Sequence, residues 1–160
     1  MRITAPRKCG VGVFACALLL SGVAPAAPPD TPYVRVSKLA AYLSDGESVG
    51  VLEAFDKNMP RYGSIAEKIQ ALSAQTDVLC SIDVVEDKEA DDDASDIHHL
   101  DLDWYMMVKS KTDSSLVERR RQRVAVTFQR FQVKSGKNAA GVWRITSLSP
   151  EEILAPITVK

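Results

Sequence analysis

The chain has 160 residues, of which 46% are hydrophobic, and 20 basic and 21 acidic side chains give it a formal net charge of −1. Such balanced charge gives no electrostatic reason to expect nucleic acid or an anionic membrane as a partner. The length is typical of one domain that buries its own core without a metal or a disulfide to stabilise it.

Residues 1–26 have the pattern of a secretory signal peptide. Three basic residues precede an apolar stretch of small side chains that closes on Ala24-Pro25-Ala26. This stretch is shorter than the roughly 18 to 20 residues that cross a bilayer. We therefore expect cleavage near Ala26, no membrane span, and a single periplasmic or secreted domain of residues 27–160. A lipidation site at Cys16 is the alternative, but the apolar run continues beyond that residue.

The exported domain retains one cysteine, Cys80, because Cys9 and Cys16 belong to the signal peptide. An internal disulfide is therefore excluded for this domain. Cys80 is in phase with Val78 and Ile82 of a predicted strand, which indicates a buried small side chain rather than a nucleophile.

The first predicted helix begins at Thr31-Pro32, an N-cap residue followed by proline at the first helical position. Asp45-Gly46 marks its end. Its apolar residues recur at the spacing of one helical face; they are Val36, Leu39, Ala40 and Leu43.

A second helix is predicted from Ser48 to Pro60, where proline disfavours helical geometry in the residue before it. Ser64 and Glu67 have the spacing of a capping box that would open a third helix. The side chains expected to be buried on these two helices are Val51 or Leu52, Phe55, Met59, Ile65, Ile69 and Leu72.

From Thr76 the hydrophobic period changes from about 3.6 to 2, which predicts an antiparallel meander. The predicted strands cover about 77–85, 97–109, 116–133 and 142–148. A change of phase along the third strand predicts a β-bulge near Gln129-Arg130, which would bend the sheet.

The link at 86–96 is strongly acidic, and we expect it to remain solvated because like charges repel each other. It lacks the ligand spacing of an EF-hand loop. Beyond it lie the two histidines, His98 and His99, and on the predicted strand His99 shares one face with Asp101 and Asp103. Same-face neighbours on a strand are about 7 Å apart, too far to converge on one zinc ion. We predict no metal site and no cofactor.

Alternate arginines on the third strand, Arg119, Arg121 and Arg123, should face Asp101 and Asp103 across the sheet. Cross-strand pairs of opposite charge fix strand register, so a solvated charge ladder is expected. The alternative is a patch that binds a partner protein.

The order of three helices and a bent meander, the segment Phe55–Tyr62, and the final strand Gly141–Ile145 resemble the nuclear transport factor 2-like superfamily. This resemblance implies a cystatin-like α+β fold. Three N-terminal helices would pack on a strongly curved antiparallel four-stranded sheet, and the resulting conical barrel would enclose a pocket. Some members use that pocket for isomerase, cyclase or dehydratase chemistry, and others only for binding or dimer formation.

The apolar residues expected to line that pocket are Phe55, Leu72, Trp104, Met106, Phe128 and Trp143. We expect a non-catalytic exported domain that binds a small apolar ligand or an envelope protein, with a homodimer through the outer sheet face as a further candidate. One alternative is a metal-independent isomerase, lyase or cyclase-like enzyme that pairs Asp56 with Tyr62 as acid and tyrosine. The other is a structural subunit of an envelope assembly.

Overall fold

A computed structural model describes residues 29–92, 94–132 and 141–157. The predicted signal peptide therefore lies outside the described residues.

The first helix, α1, spans Pro32–Ser44 and begins as predicted. The hydroxyl of Thr31 accepts a hydrogen bond from the backbone N–H of Val34 at 3.2 Å, which satisfies one of the free donors at the helix start. Three of the four predicted stripe residues are buried; they are Val36, Leu39 and Leu43.

Helix α2 spans only Ser48–Glu53, so the predicted helix up to Pro60 is wrong. The backbone leaves helical geometry because it pairs with a strand instead. Asp56 N–H donates to the carbonyl of Ile145 and Ile145 N–H donates to the carbonyl of Ala54, each at 2.8 Å. Phe55 is nevertheless buried, as predicted, from this bridging segment.

Helix α3 spans Tyr62–Gln75, and the predicted capping box at Ser64 and Glu67 is wrong because both residues lie inside the helix. The N-cap residue is Arg61, which has a left-handed φ of 67° and makes no side-chain cap bond. The predicted apolar face of this helix is confirmed, since its three members are all buried; they are Ile65, Ile69 and Leu72.

Four antiparallel strands follow in the order β1-β2-β3-β4, with each strand next to its neighbour in sequence. Their bounds are Thr76–Asp87, Ile97–Ser110, Leu116–Gln132 and Gly141–Ser149, and a short 3-10 helix, η1, spans Glu151–Leu154. The inward-facing side chains and the helices form one hydrophobic core, whose largest fully buried members include Trp104, Trp143, Phe55 and Phe128.

The conical barrel is a wrong prediction, because the sheet is open and its edge strands β1 and β4 do not pair with each other. The three helices lie between residues 32 and 75 and cover one face of the sheet. The bridge between Phe55 and Ile145 gives a physical reason for the open edge. The short segment around Phe55 binds the backbone of β4 at its outer edge, so β1 cannot pair with β4 there.

The predicted bulge at Gln129-Arg130 is also wrong in its position. Thr127 pairs with Ser147 and Phe128 with Ile145, so the extra residue is Thr146 in β4. Because β3 itself has no extra residue there, its alternation continues and Phe131 stays on the face opposite Phe128.

Candidate functional site

The six residues expected to line a pocket are brought together, but as a densely packed core. Each is at most 2% exposed, and all belong to one hydrophobic cluster. The cavities found along the described chain lie at its surface. One is a groove of about 610 Å³ between β3 residues 117–122 and the C-terminal segment 152–157. None of the six residues lines it.

The structure does not join Asp56 and Tyr62 as an acid and a tyrosine. The Asp56 carboxylate is buried and accepts a hydrogen bond from Asn58 Nδ2 at 3.3 Å. Tyr62 opens α3 and packs partly buried against the core. Within the described ranges no hydrogen bond links the two side chains.

A polar group of residues lies where the hairpin of β1 and β2 meets the start of α1; we call Tyr33, Asp87, Glu89, His98 and His99 the hairpin cluster. Its centre is Asp87, whose side chain is only 3% exposed. His98 Nδ1 lies 2.9 and 3.1 Å from the two carboxylate oxygens of Asp87. The hydroxyl of Tyr33 donates to the same carboxylate at 2.7 Å, and the backbone N–H of Glu89 donates at 3.0 Å.

Glu89 and His99 form the outer half of the hairpin cluster. The Glu89 carboxylate accepts the backbone N–H of His99 at 2.6 Å and lies 2.7 Å from His99 Nδ1. His99 is exposed, whereas His98 is buried with its ring edge against Trp143 at a centroid distance of 5.2 Å. The guanidinium of Arg130 stacks over the Trp143 ring at 4.7 Å.

The hydrogen bonds of the hairpin cluster shift its acidities. Burial raises the pKa of Asp87, whereas the hydrogen bonds from Tyr33, His98 and Glu89 N–H lower it. The hydrogen bonds together outweigh burial, so the pKa of Asp87 is lower than its ordinary value. The backbone and side chain of His99 lower the pKa of Glu89. The hydrogen bond to Asp87 raises the pKa of Tyr33 to about 12. Both carboxylates are therefore ionised at neutral pH.

A β-bulge explains why the strand pattern did not predict this cluster. Strict alternation from inward-facing Val84 would turn Asp87 outward. Val85 has no partner in β2, and this extra residue reverses the alternation, so Asp87 pairs with Leu100 and lies on the face of His98. The expectation that the acidic link is solvated throughout is wrong for Asp87.

The predicted charge ladder is found at one pair on the outer face of the sheet. Arg121 binds Asp103 through two guanidinium nitrogens, at 2.7 and 3.1 Å. Asp101 lies opposite Ala125 rather than an arginine. Arg119 and Arg123 are exposed and form no ion pair within 4.0 Å of any residue that the structure describes, although Arg123 lies directly opposite Asp103 and its charge helps to lower the pKa of that carboxyl. The ladder is therefore partial, with one close ion pair and one longer-range contact at Asp103.

No family model and no curated protein matches this chain. Among solved structures, the chain is similar to the crystal structure of a SEC-C motif containing protein from Psychrobacter arcticus, with a TM-score of 0.51 and 12% sequence identity. The match covers 84% of this chain and 66% of that protein, so the chain spans just under two thirds of its relative's length. At this identity the likeness shows a shared fold and nothing about function.

The comparison also corrects the family resemblance. The similar structure belongs to a protein described by its SEC-C motif, and the sheet of the present chain is open rather than conical. The resemblance to the nuclear transport factor 2-like superfamily is therefore wrong. No helix within the described ranges is long and apolar enough to span a membrane.

Proposed function

We propose that the chain is an exported, non-catalytic binding domain that associates with a second copy of itself through the outer face of its sheet. The observation that carries the proposal is the separation of charge on that face. Acidic side chains occupy β1 and β2, and arginines occupy β3.

The acidic half includes Asp77 and Asp83 of β1, both exposed on the outer face. Asp83 lies directly opposite Asp103 of β2, so two carboxylates are neighbours there. The basic half consists of the exposed arginines of β3, of which only Arg121 has an ion-pair partner among the described side chains. Each half therefore has charge left to neutralise.

A face with one acidic and one basic half is complementary to itself. A two-fold axis that lies between the two stacked sheets and runs parallel to the strands, along β2, places the acidic strand β1 of one copy over the basic strand β3 of the other, and the reverse contact forms at the same time. On β2, next to the arginines of β3, Tyr105 and Met107 are half-buried, and Leu79 on β1 is exposed. These side chains supply the apolar centre that a stable interface requires.

The interior gives less support to a small apolar ligand, because the six apolar candidates fill a core. The enzyme alternative has no supporting geometry at Asp56 and Tyr62. Export is inferred from the signal pattern of residues 1–26, and a self-associating exported domain is also compatible with a structural role in an envelope assembly.

Charge exchange tests the interface. The variants Asp77→Lys/Asp83→Lys and Arg119→Glu/Arg123→Glu should each be monomeric in sedimentation equilibrium, because each brings like charges together in a homodimer. An equimolar mixture of the two should recover a dimer, since the lysines of β1 in one variant meet the glutamates of β3 in the other, and Arg119 and Arg123 of the first meet Asp77 and Asp83 of the second.

The matched control for the aspartate variant is Glu47→Lys/Glu53→Lys, which makes the same charge change at two exposed positions, the N-cap and the last residue of α2, and should dimerise like the unaltered chain. A monomeric unaltered chain at all concentrations would refute the proposal. So would a mixture that stays monomeric although both variants are folded.

A further inference from the structure

We propose that the hairpin cluster is a binding site for one divalent cation of the zinc class, with Asp87, Glu89 and His98 as its protein ligands. This site lies at the hairpin end of β1 and β2, with Asp87 and His98 on the inner face of the sheet, and does not depend on the proposed dimer.

The donor set fits zinc in its chemistry. Two carboxylates and one imidazole are common zinc ligands, and three protein ligands leave a fourth position for water. One ligand atom from each of the three side chains lies within 4.8 Å of the other two. Asp87 and His98 come from paired strands and Glu89 from the turn that joins them, so ordinary hairpin structure brings the three donors together.

The distances require only a small adjustment. Zinc bonds of about 2.0 to 2.2 Å in a tetrahedron place neighbouring ligand atoms about 3.3 Å apart. His98 Nδ1 and the oxygens of Asp87 are already separated by 2.9 and 3.1 Å. The cation would replace the hydrogen that now lies between them, and the Glu89 side chain would turn from His99 to complete the set.

The surroundings supply the outer contacts that metal ligands usually have. The hydroxyl of Tyr33 donates to Asp87 and fixes the orientation of its carboxylate. The ring of Trp143 packs against the His98 imidazole and limits its rotation. The buried His98, whose Nδ1 faces the two oxygens of the Asp87 carboxylate, is therefore held in place before any ion arrives.

Charge favours a cation at this point. The carboxylates of Asp87 and Glu89 each bring one oxygen to within 4.8 Å of the other and of the His98 ring. A divalent cation between them would offset the repulsion between these two carboxylates.

The test uses isothermal titration of ZnCl2 into the untagged, metal-stripped chain, with the melting temperature recorded alongside. We expect saturable binding of one ion per chain and a higher melting temperature, because the ion binds the folded state. Glu89→Gln should weaken zinc binding by at least about tenfold. This side chain is only partly buried, so the variant should fold.

Two adjacent histidines provide the matched control. His98→Gln should abolish binding, whereas His99→Gln should bind zinc as tightly as the unaltered chain, because His99 is outside the donor set. If His98→Gln does not fold, the zinc affinities of Glu89→Gln and His99→Gln are compared instead, and weaker binding by Glu89→Gln alone supports the site. Absence of saturable binding to the folded chain would refute the site, and so would equal loss in Glu89→Gln and His99→Gln, which would place the ion on the exposed Glu89–His99 pair.

Discussion

The carboxylate of Glu151 accepts a hydrogen bond from Lys68 Nζ at 2.9 Å, although the two residues are 83 positions apart in sequence. Its other oxygen lies 2.8 Å from Arg61 Nε, and its side chain is only 4% exposed. A carboxylate withdrawn from water needs such partners to offset its desolvation. The two ion pairs of Glu151, with Lys68 and with Arg61, connect the 3-10 helix η1 to α3.

Glu151→Gln should therefore lower the free energy of unfolding by about 1 to 3 kcal/mol, since Lys68 and Arg61 lose a charged acceptor but remain partly solvated. Urea denaturation followed by circular dichroism measures the change. Glu152→Gln is the control, because that neighbouring side chain is exposed and should change stability little. Equal effects of the two substitutions would contradict the assigned role of Glu151.

A filled core and a ligand pocket differ in their response to a cavity-forming substitution. Met106 is fully buried, so Met106→Ala should lower the free energy of unfolding by about 2 to 5 kcal/mol. The unaltered chain should not enhance the fluorescence of an apolar dye. Unchanged stability of Met106→Ala together with dye binding to the unaltered chain would show that the six apolar candidates line a cavity.

The thiol of Cys80 should be inert in the folded chain. Burial raises its pKa to about 12, so almost no thiolate is present at neutral pH. A disulfide reagent should label the native chain slowly and the urea-unfolded chain quickly, at the rate of an ordinary thiol. Cys80 is partly buried against the core, so similar rates in the two states would show that this partial burial does not protect the thiol.

The Arg121–Asp103 pair makes a prediction about pH. The hydrogen bond from Arg121, opposed by a smaller desolvation and aided by the charges of Arg121 and Arg123, lowers the pKa of Asp103. Because the folded-state pKa lies below the unfolded value, the pair stabilises the fold at neutral pH, and its contribution is lost as pH falls through the folded pKa.

Carboxyl-detected NMR titration measures this pKa directly. Arg121→Gln should raise the pKa of Asp103 toward its ordinary value of 3.8. Arg119→Gln should shift it less, because Arg119 lies opposite Met107 and makes no hydrogen bond to Asp103. If Arg119→Gln shifted the pKa of Asp103 more than Arg121→Gln did, Arg121 would not be the main ion-pair partner of Asp103.

Local patterns predicted the regular elements closely. All four strands were predicted to within two residues of their bounds, because burial on one face imposes a period of two. Thr31 capped α1 as its side chain chemistry indicates. The end of α2 and the start of α3 were not predicted, since the first depends on pairing with Ile145 and the second on the backbone of Arg61.

The candidate metal ligands depend on register, which local patterns do not supply. His98 was visible in the sequence, but its partners come from the preceding strand and turn. The bulge at Val85 decides which way Asp87 faces, and no residue type in that segment signals it. An acidic residue just before a hairpin turn, about ten positions from a histidine, is the sequence signal that could have suggested the pair.

The bridge between Phe55 and Ile145 has a consequence for the order of folding. The segment after α2 obtains its backbone partners from β4, which is synthesised last among the strands. The helical part of the domain therefore cannot reach its final form on an incomplete nascent chain. Because contacts this distant in sequence slow folding, the domain should fold more slowly than a helical bundle of equal length.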